Sequence, residues 1–524
     1  MMRRDEGKMN AKIWMGVPVA TALFFGAGCD KDGGGQTPPP GEPCEAVVQD
    51  PAFLCSVEPP SVSMALSAQG HHFYDELNRH VVLRGVNAGG RSKLPPFFPF
   101  PFAESGYENQ AGADTFEIEL ERYVDKIVEW GHNVVRLPFS WEAVEPEQGT
   151  YDTVYMARLV RFSEHLSERG VRVILDFHQD VFSRAYCGDG FPLWASSEPD
   201  RPIPAIEDCA DWFWQYLTAS PIDEEFARFW RNDDNLRDQF LAMWQYVIEE
   251  TRHIEGVVGY EMLNEPYEGA IATAEWVEDY YVPLVEEFSQ LVETEAPGRF
   301  AVFGSPGTDT LNGETKVTRP DGENLAFGPH FYDPIVYIMG TPMGRWNPKL
   351  ILEPFFQTLI DWDMPGFVGE SGCRTKLDKC DAYIRAVYED MDRYPWNVTT
   401  WEYSATVDDW NNEGFGLVDF GGVERPAANE VVRTYPQAIA GSFESFVFDR
   451  TSGSATLTYD AVADGITEIR VPTRIYEEAP VIIVEEGEAC GSWDAQTQSV
   501  YLRAASAGKV SVRIERAVPD PVCD

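Results

Sequence analysis

The run Val258-Gly259-Tyr260-Glu261-Met262-Leu263-Asn264-Glu265-Pro266 decides how this chain is read. Its apolar character predicts a buried strand, and it stops abruptly at Asn, Glu and Pro. Proline cannot continue a hydrogen-bonded ladder, so Pro266 leaves Glu265 at the C-terminal edge of the strand. In a barrel of parallel strands, that edge carries the chemistry. A second ending of the same kind occurs at Gly366-Phe367-Val368-Gly369-Glu370-Ser371-Gly372. Two carboxylates at two strand ends suit glycoside hydrolysis. One protonates the leaving oxygen, and the other attacks the sugar or activates water.

Outward from these two stretches the pattern repeats. Strands are expected at 81–87, 133–138, 171–180, 300–304, 325–330 and 398–403, besides the two already quoted. Helical periodicity fills the intervals at 116–130, 155–169, 235–251, 276–293 and 353–360, with Gly131 and Gly170 closing the first two. Eight strands alternating with helices predict an α/β fold, a (β/α)8 TIM barrel, over residues 63–440. A hairpin at 71–86 feeds its first strand. An excursion at roughly 185–235 holds Trp194, Trp212, Trp214, Tyr216 and Trp230, and loops of that length are usually functional. Past Pro436 the texture changes to short β runs separated by turns, which predicts a C-terminal β-sandwich domain at 441–524.

Polar side chains gather at the strand exits: Asn87, Arg136, His178, Asp180, Asn264, Glu265, His330, Tyr332, Glu370 and Trp401. Each alone has an ordinary explanation. His178 would be a satisfied core histidine, Arg136 a buried ion pair, Trp401 core, Asn264 a cap and Glu370 the cap of a loop. Ten at successive exits are hard to explain as packing. The loop after the first strand runs Gly89-Gly90-Arg91-Ser92-Lys93, then Leu94-Pro95-Pro96-Phe97-Phe98-Pro99-Phe100-Pro101-Phe102. Such a run forms neither regular strand nor helix. It either packs rigidly on the barrel or presents Phe97, Phe98, Phe100 and Phe102 as an apolar surface on the aglycone side of the site.

Bulk properties narrow the partners. The formal net charge of −45 over 524 residues excludes charge-driven binding to nucleic acid or an anionic membrane. The aromatic fraction of 13%, with 15 Trp, suits stacking on a neutral sugar, though most must be core. The start has Arg3, Arg4 and Lys8 before an apolar stretch at 13–25, too short to span a bilayer. It ends in Gly26-Ala27-Gly28-Cys29, which resembles a lipobox, although Gly26 stands where leucine is usual. Residues 1–28 therefore read as an export signal, Cys29 as a lipidation site and 29–62 as a flexible tether. The expected location is the bacterial cell envelope, as a lipoprotein, or the medium. Setting Cys29 aside, eight of the nine cysteines remain. Spacing leaves their connectivity open; nearest-neighbour pairing gives Cys44–Cys55, Cys187–Cys209, Cys373–Cys380 and Cys490–Cys523. No paired Cys-x-x-Cys spacing suggests a zinc site.

Over about residues 64–440 the chain resembles glycoside hydrolase family 5, and within it the endoglycoceramidases. The motifs are Asn264-Glu265-Pro266, His330-Phe331-Tyr332, Glu370-Ser371-Gly372, His178-Gln179-Asp180 and Lys93. The resemblance implies a retaining enzyme that cuts between an oligosaccharide and ceramide, with a C-terminal sandwich and no metal or organic cofactor. It makes Glu265 the general acid/base and Glu370 the nucleophile. Asn264 would donate to the sugar 2-hydroxyl. Arg136 and Tyr332 would keep Glu370 ionised, with His330 beside them, while Lys93, His178, Asp180 and Trp401 would hold the sugar. A glycolipid or oligosaccharide is the expected substrate and a monomer the expected state. An endo-β-1,4-glucanase or a steryl β-glucosidase would use the same acids. A sugar-binding surface lipoprotein would keep the tryptophans but has no need of both glutamates.

Overall fold

The computed structural model describes residues 49–517, apart from 105–112, 210, 219, 308, 310–313, 334–348, 405–412 and 420. The expected export signal at 1–28, and Cys29, Cys44 and Cys523, lie outside the described residues.

The first described strands are short: β1 (Ser67–Gln69), β2 (His72–Tyr74) and β3 (His80–Val81). The barrel follows with β4 (Arg84–Asn87), β5 (Val134–Phe139), β6 (Arg172–Phe177), β7 (Val257–Glu261), β8 (Phe300–Gly304), β9 (Leu325–Gly328), β10 (Phe367–Val368) and β11 (Asn397–Thr400). Their order is β10-β11-β4-β5-β6-β7-β8-β9, every neighbour parallel. Parallel bridges Phe327–Gly366 and Phe331–Ser371 join β9 to the β10 segment and close the ring. All eight strands fall on the expected stretches. The reason is physical: a parallel strand covered by barrel interior and helices is buried on both faces and reads as a continuous apolar run. Both β5 and β6 are buried at all six positions.

The outer helices are amphipathic. Phe116–Glu129 turns Phe116, Leu120, Tyr123, Val124 and Ile127 inward and ends before Gly131, whose φ of +79° suits glycine. Thr153–Glu168 starts where the Asp152 carboxylate accepts from the Val154 and Tyr155 amides, both at 2.9 Å. Helices at Pro221–Trp230, within the long excursion, and at Cys380–Asp392 were not expected.

The Phe-Pro loop faces inward, which corrects the expected aglycone-side role of its phenylalanines. Phe98, Phe100 and Phe102 are 2%, 1% and 1% exposed. Phe98 meets Phe116 and Phe100 meets Tyr123, each with ring centroids 5.2 Å apart. Phe97 packs edge-on against Tyr155 at 6.1 Å. They form an aromatic layer between the barrel and its first helices, because that layer offers them more apolar contact than any surface.

After the barrel come β12 (Tyr435–Ile439), β13 (Gly441–Asp449), β14 (Ser454–Ala461), β15 (Ile466–Arg470), β16 (Val481–Glu486), β17 (Ala489–Asp494), β18 (Ser499–Ala504) and β19 (Gly508–Glu515). They form two antiparallel sheets, β1-β2-β3-β12-β15-β18-β17 and β13-β14-β19-β16. The expected hairpin at 71–86 thus supplies strands to the sandwich before the chain enters the barrel. The junction lies at the N-terminal ends of the barrel strands. There β3 pairs with β12, Tyr435 Oη donates to the Gly131 carbonyl at 3.0 Å, and Gln498 Nε2 donates to the Val128 carbonyl at 2.7 Å.

Cys55 is bonded to Cys490 across a separation of 435 residues. This overturns both Cys44–Cys55 and Cys490–Cys523; the expected Cys187–Cys209 and Cys373–Cys380 bonds are present. Residues 49–57 are correspondingly not a free tether. Gln49 donates to the Ile482 carbonyl and accepts from its amide, and the Val57 carbonyl accepts from Ser492 at 3.1 Å.

Candidate active site

The C-terminal ends of the barrel strands converge on one cleft of about 540 Å³, lined by Lys93, His178, Asp180, Asn264, Glu265, Tyr332, Glu370 and Trp401 among others. One carboxylate oxygen of Glu265 and one of Glu370 lie within 4.8 Å of each other, with a ring nitrogen of His330 also within that distance of both. Retaining glycosidases hold their two carboxyls about 5–5.5 Å apart, whereas inverting ones leave about 6.5–9.5 Å for a water. The spacing here belongs to the first class.

The backbone that presents Glu265 is unusual. Its φ is +39°, a conformation non-glycine residues seldom adopt. Gln179 holds it there, its Nε2 donating to the carbonyls of Asn264 at 3.0 Å and Glu265 at 3.1 Å. Gly307 lies against the same side chain: a Cβ there would come 2.7 Å from Glu265 Oε2.

Arg136, fully buried on β5, organises the floor. Its Nη1 donates to Glu370 Oε1 at 2.8 Å and to Asn87 Oδ1 at 3.0 Å. Its Nε and Nη2 grip Glu261 at 2.7 and 2.9 Å, and Nη2 also reaches Asn264 Oδ1 at 2.9 Å. Asp176 lies 3.0 Å from the same guanidinium. Asn264 Nδ2 donates to the Gln179 carbonyl at 3.0 Å, leaving its second amide hydrogen for a ligand.

Glu370 is built to stay ionised. Burial alone would raise its pKa. The cations of His330 and Arg136, then those of His178 and Lys93, more than offset that and hold it below the ordinary carboxylate value. Tyr332 donates to Glu370 Oε2 at 2.8 Å, and burial beside that carboxylate pushes its phenol well up, so it remains a donor. His330 Nδ1 lies 2.8 Å from Glu265 Oε1 and 3.6 Å from Glu370 Oε2. Burial works to lower the imidazole, but Glu370 and Glu265 raise it above its usual value.

A second charged group closes the other end of the cleft. Lys93 Nζ donates to Asp180 and, at 3.0 Å, to Glu413 Oε1; Trp401 Nε1 donates to Glu413 Oε2 at 3.2 Å. Burial opposes the Lys93 charge, yet Asp180 and Glu413 raise its pKa well above normal. His178 stacks on Trp401 at 5.1 Å and bonds Asp176 at 2.7 Å. Burial is again overcome, chiefly by Asp176, and His178 is pushed up to about 10. These fixed donors and acceptors can engage a polyhydroxylated ring, with Trp401 as an apolar wall.

The eight residues expected around the two acids, and both acids themselves, thus meet in one place. Glu413, Glu261 and Asp176 were missed. A charged residue inside the apolar run of β7 was a signal for Glu261; Glu413 lies in a stretch without periodicity. The convergent ligand atoms of Glu265, His330 and Glu370, and of His178, Asp180 and Asp189, also meet the geometric requirement for a cation. In each set a carboxylate is already engaged, Glu370 by Arg136 and Tyr332, Asp180 by Lys93.

Beside the cleft lies an apolar pocket of about 410 Å³, lined by Tyr216, Leu217, Pro266, Tyr267 and Pro306, with Phe213, Glu265 and Gly307 shared between the two spaces. Glu265 stands on the boundary. The aromatic excursion, not the Phe-Pro loop, supplies the apolar surface next to the acid.

Residues 98–407 match the model of the family described as Cellulase (glycosyl hydrolase family 5), and 433–514 that of the glycoside hydrolase family 5 C-terminal domain. The chain is 26% identical over 480 residues to Endoglycoceramidase I of Rhodococcus hoagii, covering 86% of this chain and 88% of that one. The structure of endo-glycoceramidase II from Rhodococcus sp. in its ganglioside GM3 complex superposes with a TM-score of 0.71 at 23% identity, over 86% of this chain and 100% of that one. Sterylglucosidase 1 of Cryptococcus neoformans superposes with a TM-score of 0.68 at 17% identity, over 87% and 99%. At these identities the structural likeness speaks for the fold.

Proposed function

The chain belongs to glycoside hydrolase family 5, and from that premise we propose that it is a retaining β-glycosidase that releases the glycan from the lipid of a glycolipid, an endoglycoceramidase-type activity in glycosphingolipid breakdown. Glu370 attacks the anomeric carbon while Glu265 gives its proton to the departing oxygen. In the second step Glu265 takes a proton from water, which displaces Glu370 and restores both groups. Asn264 serves the 2-hydroxyl, where a hydrogen bond strengthens as positive charge develops on the ring.

The observation that carries the lipid reading is the boundary position of Glu265. On one side it faces a charged cleft suited to hydroxyls, and on the other an apolar pocket that begins at the leaving group. A glucan chain would need a polar, open path there. The relatives named as endoglycoceramidases support the same substrate class. Three disulfides among the described residues suit an exported protein.

The test is a panel of a fluorescent glucosylceramide-type lipid, a steryl glucoside and carboxymethylcellulose. Release of intact oligosaccharide and ceramide should dominate. Faster cleavage of the steryl glucoside would move the reading to a compact, rigid aglycone, and activity confined to the cellulose derivative would end the lipid reading. Leu217→Asn should lower kcat/KM on the preferred lipid by about tenfold, since losing the contact of this half-exposed leucine with a lipid chain is worth roughly 1–1.5 kcal/mol.

A further inference from the structure

Four of the large apolar side chains exposed among the described residues, Ile203, Ile206, Trp214 and Leu217, fall within fifteen consecutive positions. Trp214 is 56% exposed and is the one aromatic among them. Singly exposed apolar residues need no explanation, but a cluster beside a binding site marks an interaction surface. We propose that this run seats the enzyme on the surface of an uncharged or zwitterionic lipid aggregate, with the apolar pocket opening toward it.

Three features point to that occupant. The run is continuous with the pocket: Phe213, Tyr216 and Leu217 line it, while Trp214, on the same turn, faces outward. The pocket is also too small for a two-tailed lipid. Each tail runs about 15 Å, half the thickness of a bilayer's hydrocarbon core, and ≈ 410 Å³ of space, part of it open to solvent, does not enclose two. Part of the substrate therefore stays in its aggregate, and the rim must meet that surface. Finally, Asp208 and Asp211 stand exposed on the same run and the whole chain carries −45, so anionic lipid is disfavoured. Tryptophan is the side chain that favours a membrane–water boundary.

The run is held stiff, so docking costs little ordering. The Cys187–Cys209 disulfide anchors it, Gln215 Nε2 donates to the Tyr186 carbonyl at 2.6 Å, and the Trp214 carbonyl accepts from Thr218 Oγ1 at 2.9 Å.

The inference rests on the glycolipid reading for its use, but its test does not. In a full-length Cys29→Ala background, so that no acyl chain contributes, the protein should float with pure phosphatidylcholine vesicles containing no glycolipid. Ile206→Ser with Trp214→Ser should weaken that binding on the order of tenfold and slow hydrolysis of vesicle-borne glycolipid by a similar factor. Turnover of a soluble aryl glycoside should stay unchanged; if it falls, the milder Trp214→Gln variant repeats the comparison. Absence of flotation, equal flotation of the variants, or binding only to phosphatidylserine vesicles would overturn the proposal. Flotation that responds to the substitutions without any glycolipid cleavage would keep the docking surface and remove the substrate reading.

Discussion

His330 places one ring nitrogen 2.8 Å from Glu265 Oε1, so that a single imidazole touches the acid while standing 3.6 Å from the nucleophile. Besides burial, which works to raise it, the Glu370 carboxyl feels His330 before any other group. Removing that cation should let it rise. In His330→Asn the acid limb of the kcat/KM profile should move to higher pH, because Glu370 then loses its charge earlier as pH falls. An unmoved acid limb would assign the depression to Arg136, His178 and Lys93 instead.

The two acids should separate by rescue. Glu265→Gln and Glu370→Gln should each lower kcat by several orders of magnitude with the fold retained. Azide should restore turnover to Glu370→Gly and yield the glycosyl azide of inverted anomeric configuration. Wild-type turnover in either Gln variant would remove that residue from the mechanism.

Phe98 should behave as core. Phe98→Ala should destabilise the protein by about 3–5 kcal/mol, the usual loss for a buried phenylalanine. Below the melting transition the ratio of glycolipid to aryl glycoside turnover should not change. A selective loss on glycolipid would return this loop to the substrate.

Buried neutral histidines should make the fold acid-sensitive. Burial lowers His132 to about 3; burial and then the neighbouring His71 lower His80 to about 4. Their folded values lie below the unfolded one of about 6.5. The stability they contribute is complete above that pH and is lost as pH falls toward the folded values. Thermal midpoints should decline between about pH 6.5 and 4. Among the described residues the Nε2 of His132 meets no hydrogen-bond partner, so His132→Leu should flatten the decline.

Cys29→Ala should release the protein from the membrane fraction of its native cells. Unchanged partitioning would leave a plain secretory signal or another anchor.

The barrel was legible because its strands are continuous apolar runs and its helices stop at glycines such as Gly131 and Gly170. The acids were legible because Pro266 marks a strand end. Other features had no local signal. Strands of two or three residues, as at His80–Val81, are too short for periodicity to reveal which sheet they join. Composition cannot say which way Phe98 and Phe100 face. Glu413 reaches Lys93 and Trp401 from a stretch with no pattern of its own. Nearest-neighbour pairing of cysteines assumed that the chain does not return to its start, and here β17 does return to Cys55.

That return sets an order of events during synthesis. Cys55 emerges early, but Cys490 follows 435 residues later. At about 5–20 residues per second the wait is roughly 20–90 s. Cys187, Cys209, Cys373 and Cys380 all appear within that interval. The Cys55 thiol must stay unpaired, or trade partners, while two shorter loops close past it. The clasp that joins the first described residues to the sandwich can therefore form only after the barrel has been delivered whole. A chain interrupted before residue 490 would lack the partner of Cys55 and keep that thiol free for exchange.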